Sequence, residues 1–474
     1  MASEQTPLLE AATAVVEQTV SEETRQERDS IYDKFTSAEK RAIVLHVTFS
    51  GVIPFFVSGS LIPSLPHIAK EFGSSGPVIN LAVSASIFAA CLGGLFWAVY
   101  SGHYGRKPIY LVATLMFCIG SVGVALAPSV AHLIFFRIFQ AGGGSSGLSN
   151  SMGVIGDIYA VEERGTATGV FFAGVLLGPA IAPVISGFVA EVWSWRIMQA
   201  ALFVCGVVFF VVTLLFFPET MHPGTSGAEK QGNRNPVVLC VITAGITTLM
   251  ADFFLVVPVA YTVAKKYNIT GEGAIGALLI PGGLGNMLGA PTAGYISDRI
   301  IAQRRKARGG VWVPEDRLRG VQFAALVLIP GSLVIAGYTT TYVDGWPGLA
   351  INLSCLFMNG FGVDTMFTAL SAYNVDILHD RSAEISAAAM AYRGTIVSLG
   401  LAGLLPTIET IGLFATYSIT AVISVFGYFL VWCVIRYGER MRAYVDIGFT
   451  TAPRDTWIPT WHLNPSKFDS EDKC

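Results

Sequence analysis

Charged residues are scarce in this chain. Asp, Glu, Lys and Arg make up 13% of its 474 residues, about half the roughly 25% of a soluble domain. A soluble chain of this length would form about three domains, and too little charge is present to cover them. Several other things are missing. Six of the seven cysteines (Cys91, Cys118, Cys205, Cys240, Cys355, Cys433) fall inside apolar stretches and Cys474 is the last residue, so no extracellular disulfide framework is laid out. No His/Cys/Glu group has metal-ligand spacing, and no Ser/His/Asp arrangement stands out. The run Gly142 to Gly147 lacks the Lys and Ser/Thr of a phosphate loop. No enzyme, metal or cofactor is therefore expected. A net charge of −3 offers nothing to nucleic acid. Disorder is excluded for most of the chain by 30 Phe and 8 Trp.

What is present is apolar: 53% of the residues, with a mean hydropathy of +0.58. Twelve stretches can each cross a ~30 Å hydrocarbon layer as a helix of about 20 residues. We number them spans 1 to 12: 42–64, 80–100, 109–128, 131–154, 166–190, 197–217, 236–261, 273–296, 321–341, 347–371, 385–405 and 410–435. Twelve buried soluble helices would leave no polar layer to cover them. A membrane barrel would instead show alternating segments of ~10 residues. The expected fold is an all-α integral membrane protein of twelve transmembrane helices. Residues 1–41, with nine Asp/Glu, and 437–474 read as polar tails, the first without a cleavable leader. Lys and Arg set the orientation. With both termini in the cytoplasm, 24 of the 30 lie in the tails and inner links, and only Lys70, Arg196, Lys265 and Lys266 in outer links.

The polar link 218–235 divides the chain into six-helix halves, 42–217 and 236–436. The halves repeat a pattern. Gly105-Arg106-Lys107-Pro108 follows span 2, and Gly294-Tyr-Ile-Ser-Asp298-Arg299 follows span 8. Asp157 and Glu163-Arg164-Gly165 follow span 4; Asp376, Asp380 and Arg381 follow span 10. Duplicated halves are the architecture of secondary transporters, with the site near the midplane.

These residues resemble a known family. The stretch Arg137-Ile-Phe-Gln140-Ala-Gly-Gly-Gly144-Ser-Ser-Gly147, then Gly153, Asp157 and Glu163-Arg164-Gly165, is similar to the fourth span and following link of the major facilitator superfamily. Gly174, Gly178-Pro179, Pro183 and Gly187 resemble the fifth-span signature of its antiporters. Trp195-Arg196 with Phe217-Pro218-Glu219-Thr220, Val313 to Arg319, and Tyr373-Asn-Val-Asp376 with Arg393 resemble the fungal twelve-span drug:proton antiporters, in the quinidine-resistance, dityrosine and organic-acid exporter group. The resemblance covers about 41–440. Two departures stand out. Gly102 and His103 replace the family's Asp and Arg ahead of Gly105, and Ala141 replaces a Gly. The link after span 2 thus lacks its anchoring carboxylate, whereas the second half keeps Asp298. The expectation is an asymmetric latch, weaker in the first half.

A charge at the bilayer centre costs about 3 kcal/mol or more and usually faces a cavity or a partner. Four charges lie within spans: Arg137, Asp252, Asp364 and Arg393. At ~1.5 Å per residue they sort by depth into an outer pair, Arg137 with Asp252, and an inner pair, Asp364 with Arg393. The resemblance implies that spans 1, 4, 7 and 10 line a central cavity. On that view Arg137 holds an anionic substrate group or pairs with Asp252, and Asp252 or Asp364 carries a proton. Asn359 and Arg393 join them as substrate-binding candidates. Static packing is the alternative for each. Gly105, Arg106, Lys107, Asp157, Arg164, Asp298 and Arg299 are expected to act as latch and gate. Gly174, Gly178, Pro179, Pro183 and Gly187 offer a bent, small-residue face, which packs helices, seals the interface between halves, or both. Phe55, Phe56, Phe135, Phe136, Phe139, Phe253, Phe254 and Phe361 flank the charges; a few could form an apolar wall.

The expected function is proton-coupled export of small organic molecules, organic acids or drugs, by a monomer in the plasma membrane. Its partners are the substrate, protons and the bilayer. A nutrient importer of the same fold and a non-transporting sensor are the alternatives.

Overall fold

A computed structural model describes residues 34–159, 161–221, 236–309, 313–377 and 382–443. Among them the chain is helix and turn, without a strand. The parts of the expected tails and of the 218–235 link that fall outside these ranges, and the side chain of Arg164, are not among the described features.

Span 1 is Ser37–Gly59, starting earlier than hydropathy suggests because Thr36 and Glu39 form a capping box that fixes the first turn. Span 2 is Gly76–Tyr104, span 3 Arg106–Ala125 and span 6 Trp195–Phe216. Span 4 is broken into Val130–Gly144 and Ser146–Ile158, and span 5 into Val161–Val175 and Leu177–Val192. Span 7 is Pro236–Val256, continued by a 3₁₀ turn, Val257–Ala260. Span 8 comprises Glu272–Leu278 and Ile280–Ala307. Span 9 runs through a 3₁₀ segment, Pro314–Val321, and a π segment, Ala324–Leu328, into Ile329–Tyr342. Spans 10, 11 and 12 are Gly345–Ile377, Ser382–Ile411 and Leu413–Ala443. Among the described residues, eleven segments are long and apolar enough to cross a membrane unaided. Span 4 is the exception, because Arg137, Gln140 and a run of Gly and Ser leave its two pieces too polar. One carbonyl beside the break is held by two side chains. Gly142 O accepts from Trp97 Nε1 and from Ser145 Oγ, each at 2.7 Å.

Large apolar side chains such as Leu126, Phe216, Trp346, Leu399 and Val422 are exposed around the bundle. In water such a surface would aggregate; in a bilayer it is the solvated face.

Burial divides as the repeat does. One core lies in the first half around Val47, Phe117, Val154 and Phe171. A second lies in the second half around Val241, Leu333, Leu370 and Tyr417. A third joins the halves. It unites Leu61, Leu65, Ile79 and Val83 with Phe254, Val257, Leu401 and Leu404. It sits at the end of the bundle remote from Ser37 and Ala443, which we call the distal end; the other is the terminal end. Span 2 packs on span 11 and span 5 on span 8 across the halves. Gly283 makes the second contact possible, since a Cβ there would overlap Ala180 of span 5. Asn80 Nδ2 donates to Leu401 O at 2.7 Å, fixing the first.

Candidate functional site

Arg137 is fully buried, and its partners lie within the first half. Span 1 stops at Gly59, so carbonyls of its last turn lack intrahelical donors. Arg137 Nη2 donates to one of them, Val57 O, at 2.9 Å, and to Ser86 Oγ at 3.3 Å. Its Nη1 donates to Gln140 Oε1 at 2.8 Å. Gln140 Nε2 donates to Ser121 Oγ and Gln199 Oε1, and Gln199 Nε2 to Ser60 Oγ. One polar chain thus ties spans 1, 2, 3, 4 and 6 together. The guanidinium answers the negative end of span 1 rather than a carboxylate.

Arg393 is 5% exposed. Its guanidinium lies 4.6 Å from the centre of the Phe367 ring, a cation–π contact strengthened by burial. It packs against Gly245 of span 7 and lies near Cys91 of span 2.

The two acids differ. Asp252 on span 7 and Asp364 on span 10 are only half-buried, on adjacent helices of the second half. They lie close enough to interact electrostatically with each other. Among the described residues, neither forms an ion pair or a side-chain hydrogen bond. The outer pair Arg137–Asp252 and the inner pair Asp364–Arg393 are therefore not formed. Each arginine turns toward helix packing, while each acid stays half-buried without a partner among the described residues. Asn359 is buried and accepts from Ser332 Oγ at 3.2 Å within the second half.

The flanking phenylalanines also divide. Phe55, Phe56, Phe253 and Phe361 are half-buried. Phe254 belongs to the core that joins the halves. Phe135 is exposed and packs against Phe139 with tilted rings. Phe136 lines an apolar groove of about 550 Å³ with Leu115, Ile119, Phe203 and Val207, between spans 3, 4 and 6 and apart from the acids.

At the terminal end, the link after span 2 is anchored in spite of Gly102. Gly105, with φ +100°, turns the chain. Glu219 then accepts from the backbone N–H groups of Arg106 at 2.8 Å and Lys107 at 3.1 Å, capping span 3. Arg106 Nε donates to Asp157 Oδ2 at 2.9 Å and Nη1 to Ser101 Oγ at 2.8 Å. The expectation of a first-half link without a carboxylate is corrected: Glu219 and Asp157 do that work. The second half repeats the arrangement with different residues. Arg317 Nε donates to Asp376 Oδ2 at 2.6 Å. Asp298 is 77% exposed and stands 4.0 Å from Arg317. Arg299 stacks on Tyr295. Buried Asp316 is bonded by Arg308 and flanked by Arg304 and Arg319.

Gly174 and Gly178 face Thr48 and Phe55 of span 1, while Pro183 and Gly187 meet Gly276 and Glu272 of the other half. Pro179 opens the second piece of span 5 and Pro183 lies within it. The six cysteines among the described residues are free.

A cluster at the distal end was missed. Glu272 accepts from His67 Nδ1 at 2.7 Å and from Ser64 Oγ, while Glu191 of the first half accepts from Gly273 N–H at 2.7 Å. The available signal was an acidic residue opening span 8 on the side poorest in charge.

A family model described as Major Facilitator Superfamily matches residues 47–403. The chain is 28% identical over 440 residues to the efflux pump radE of Floropilus chiversii, covering 84% of this chain and 81% of that protein. It is 31% identical over 183 residues to the MFS antiporter QDR3 of Candida albicans, covering 39% of this chain and 26% of QDR3. Among solved structures, its fold is similar to a bacterial homologue of the human lysosomal transporter Spinster in an inward-facing, occupied conformation. The TM-score is 0.66 at 15% identity, covering 88% of this chain and 100% of the other.

Proposed function

The chain belongs to the major facilitator superfamily, a family of membrane transporters rather than enzymes, and from that premise we propose that it exports small organic molecules in exchange for protons. The observation that carries this reading is the pair Asp252 and Asp364: two half-buried acids without a cationic partner among the described residues. A carboxylate in such a place holds either a proton or a cation, and two of them repel when both are ionised. Binding of one species therefore favours release of the other, which is the requirement for exchange.

Between organic acids and cationic drugs, the arrangement favours cations. Both arginines that could hold an acid are buried and engaged, Arg137 by Val57 O, Ser86 and Gln140 and Arg393 by Phe367. The charges without a partner among the described residues are the acids, and half-buried Phe253 and Phe361 lie on the same two helices. On this reading Asp252 and Asp364 contact substrate, while Arg137, Asn359 and Arg393 hold the helices around them. The Arg106–Asp157 and Arg317–Asp376 links and the packed face of span 5 guide the movement of the halves. Relatives named as an antiporter and an efflux pump support exchange and outward direction. The 24-to-4 bias of Lys and Arg supports cytoplasmic termini. We place the protein in the plasma membrane as a monomer, since one chain supplies both halves.

The test is uptake by sealed vesicles of purified protein under an imposed pH gradient, with a lipophilic aromatic cation and an aromatic carboxylate compared. Uptake of the cation against proton flow, lost in Asp252→Asn, is expected. Preferential carriage of the carboxylate overturns the substrate class, and transport indifferent to the gradient overturns the coupling.

A further inference from the structure

The clasp at the distal end is built from exchanged carboxylates. Glu272, from the second half, reaches Ser64 and His67 of the link between spans 1 and 2. Glu191, at the end of span 5 in the first half, reaches back to the N–H of Gly273. Each half holds the other through an acid, in the link that must part if the distal end is to open. The two contacts differ in one respect: a backbone N–H does not titrate, whereas an imidazole does. Glu272 is nearly buried, while the His67 side chain is 59% exposed, so bulk protons reach it directly.

We propose that Glu272 and His67 form a proton-sensitive gate that sets how readily the distal end opens. The groups facing His67 make the sign of the effect definite. Glu272 lies against it from the second half, and Glu71 is close enough on its own helix to feel its charge. Glu71 is itself held by Trp195 Nε1 and Arg196 of span 6. Lys70 neighbours Glu71 on the same helix, and Glu191 lies beyond Gly273. Lys266, farther along this end, is engaged by Asp344. Imidazoles exchange their proton between about pH 5 and 8. With a proton on the imidazole, His67 and the Glu272 carboxylate attract across the interface, and the gate is shut. Without that proton, the contact is a hydrogen bond from a neutral ring to the carboxylate, weaker than the ion pair, and the gate loosens. Glu272 and His67 are positioning residues: they act on the movement of the halves and do not touch substrate.

The experiment reads conformation in the full chain and needs neither substrate nor flux. Its failure is thus separate from failure of the exchange reading. Spin labels are placed on cysteines introduced at exposed Ser75 and Thr270, one in each half, with Cys205 and Cys474 changed to serine. Distances are measured in lipid nanodiscs at pH 5.5 and 8. The distal-open population is expected to rise severalfold between these values. His67→Gln should remove the pH response, and His67→Arg, permanently charged, should stay shut at both. Glu272→Gln should be more open than the parent at pH 5.5. An unchanged pH response in His67→Gln, or opening of His67→Arg at pH 8, overturns the proposal. Both substitutions fall on an exposed side chain, so the test survives if Glu272→Gln does not fold.

Discussion

Arg106 and Asp157 stand 2.9 Å apart where span 3 begins and span 4 ends. Arg317 and Asp376 repeat that contact at 2.6 Å where span 9 begins and span 10 ends. The repeat lies in the contact and its place in the topology; the surrounding letters differ. Each pair is mostly screened from water, so truncating one partner should cost about 1.5–3 kcal/mol. Double-mutant cycles with alanine, read by thermal unfolding in detergent, should give coupling of about 1–2 kcal/mol for each. Asp298→Ala, at an exposed site, should stay within about 0.5 kcal/mol of wild type.

Arg137 and Asp252 should behave oppositely on substitution. Arg137→Ala strands Gln140 and the last turn of span 1 inside the first half, and should destabilise by about 3 kcal/mol or more. Thermal unfolding followed by size exclusion measures this loss. Arg137→Lys should recover little of it, because an ammonium cannot span Val57 O, Ser86 and Gln140 together.

Asp252→Asn and Asp364→Asn break no bond seen among the described residues, so stability should change by less than about 1 kcal/mol. Proton-driven transport should nevertheless disappear. A wild-type rate for Asp252→Asn under a pH gradient would remove that acid from the coupling step.

Glu71 supplies the pH dependence at the distal end. Burial raises its pKa, but bonds from Trp195 and Arg196 and the charges of Arg196 and His67 outweigh that and hold it below the usual carboxylate range. A lowered folded value means that its stabilisation is complete above the unfolded pKa of about 4.3 and is lost as pH falls through the folded value. Wild type should therefore unfold at a higher temperature than Glu71→Gln at pH 7. The two curves should converge as pH falls below the carboxylate range. With both side chains partly exposed, the gap should stay below about 1 kcal/mol.

Much of the architecture was legible because hydropathy reports burial in a bilayer without knowledge of neighbours. The apolar helices of spans 1 to 12 came from that signal. Partners were harder. A rise of ~1.5 Å per residue fixes the depth of Arg137 or Asp252, but the direction each faces depends on rotation, and rotation is lost wherever a helix breaks. Span 4 breaks at Ser145, eight residues after Arg137. Span 5 breaks at Leu176, between Gly174 and Gly178. Glu219 was visible as a letter of a motif, but its capping role requires span 6 to return beside the start of span 3. His67 and Glu272 are 205 positions apart, beyond the reach of any local pattern.

The break in span 4 bears on how a helix can bend in oil. An unbonded carbonyl in hydrocarbon costs several kcal/mol, which ordinarily makes a midplane hinge prohibitive. Gly142 O has two donors at equal distance, one from span 2 and one from its own helix. If the lower piece of span 4 swings with the terminal end, Ser145 can let go while Trp97 keeps hold. Losing either donor alone leaves the carbonyl satisfied, so the first half carries a joint whose hydrogen bonding is redundant.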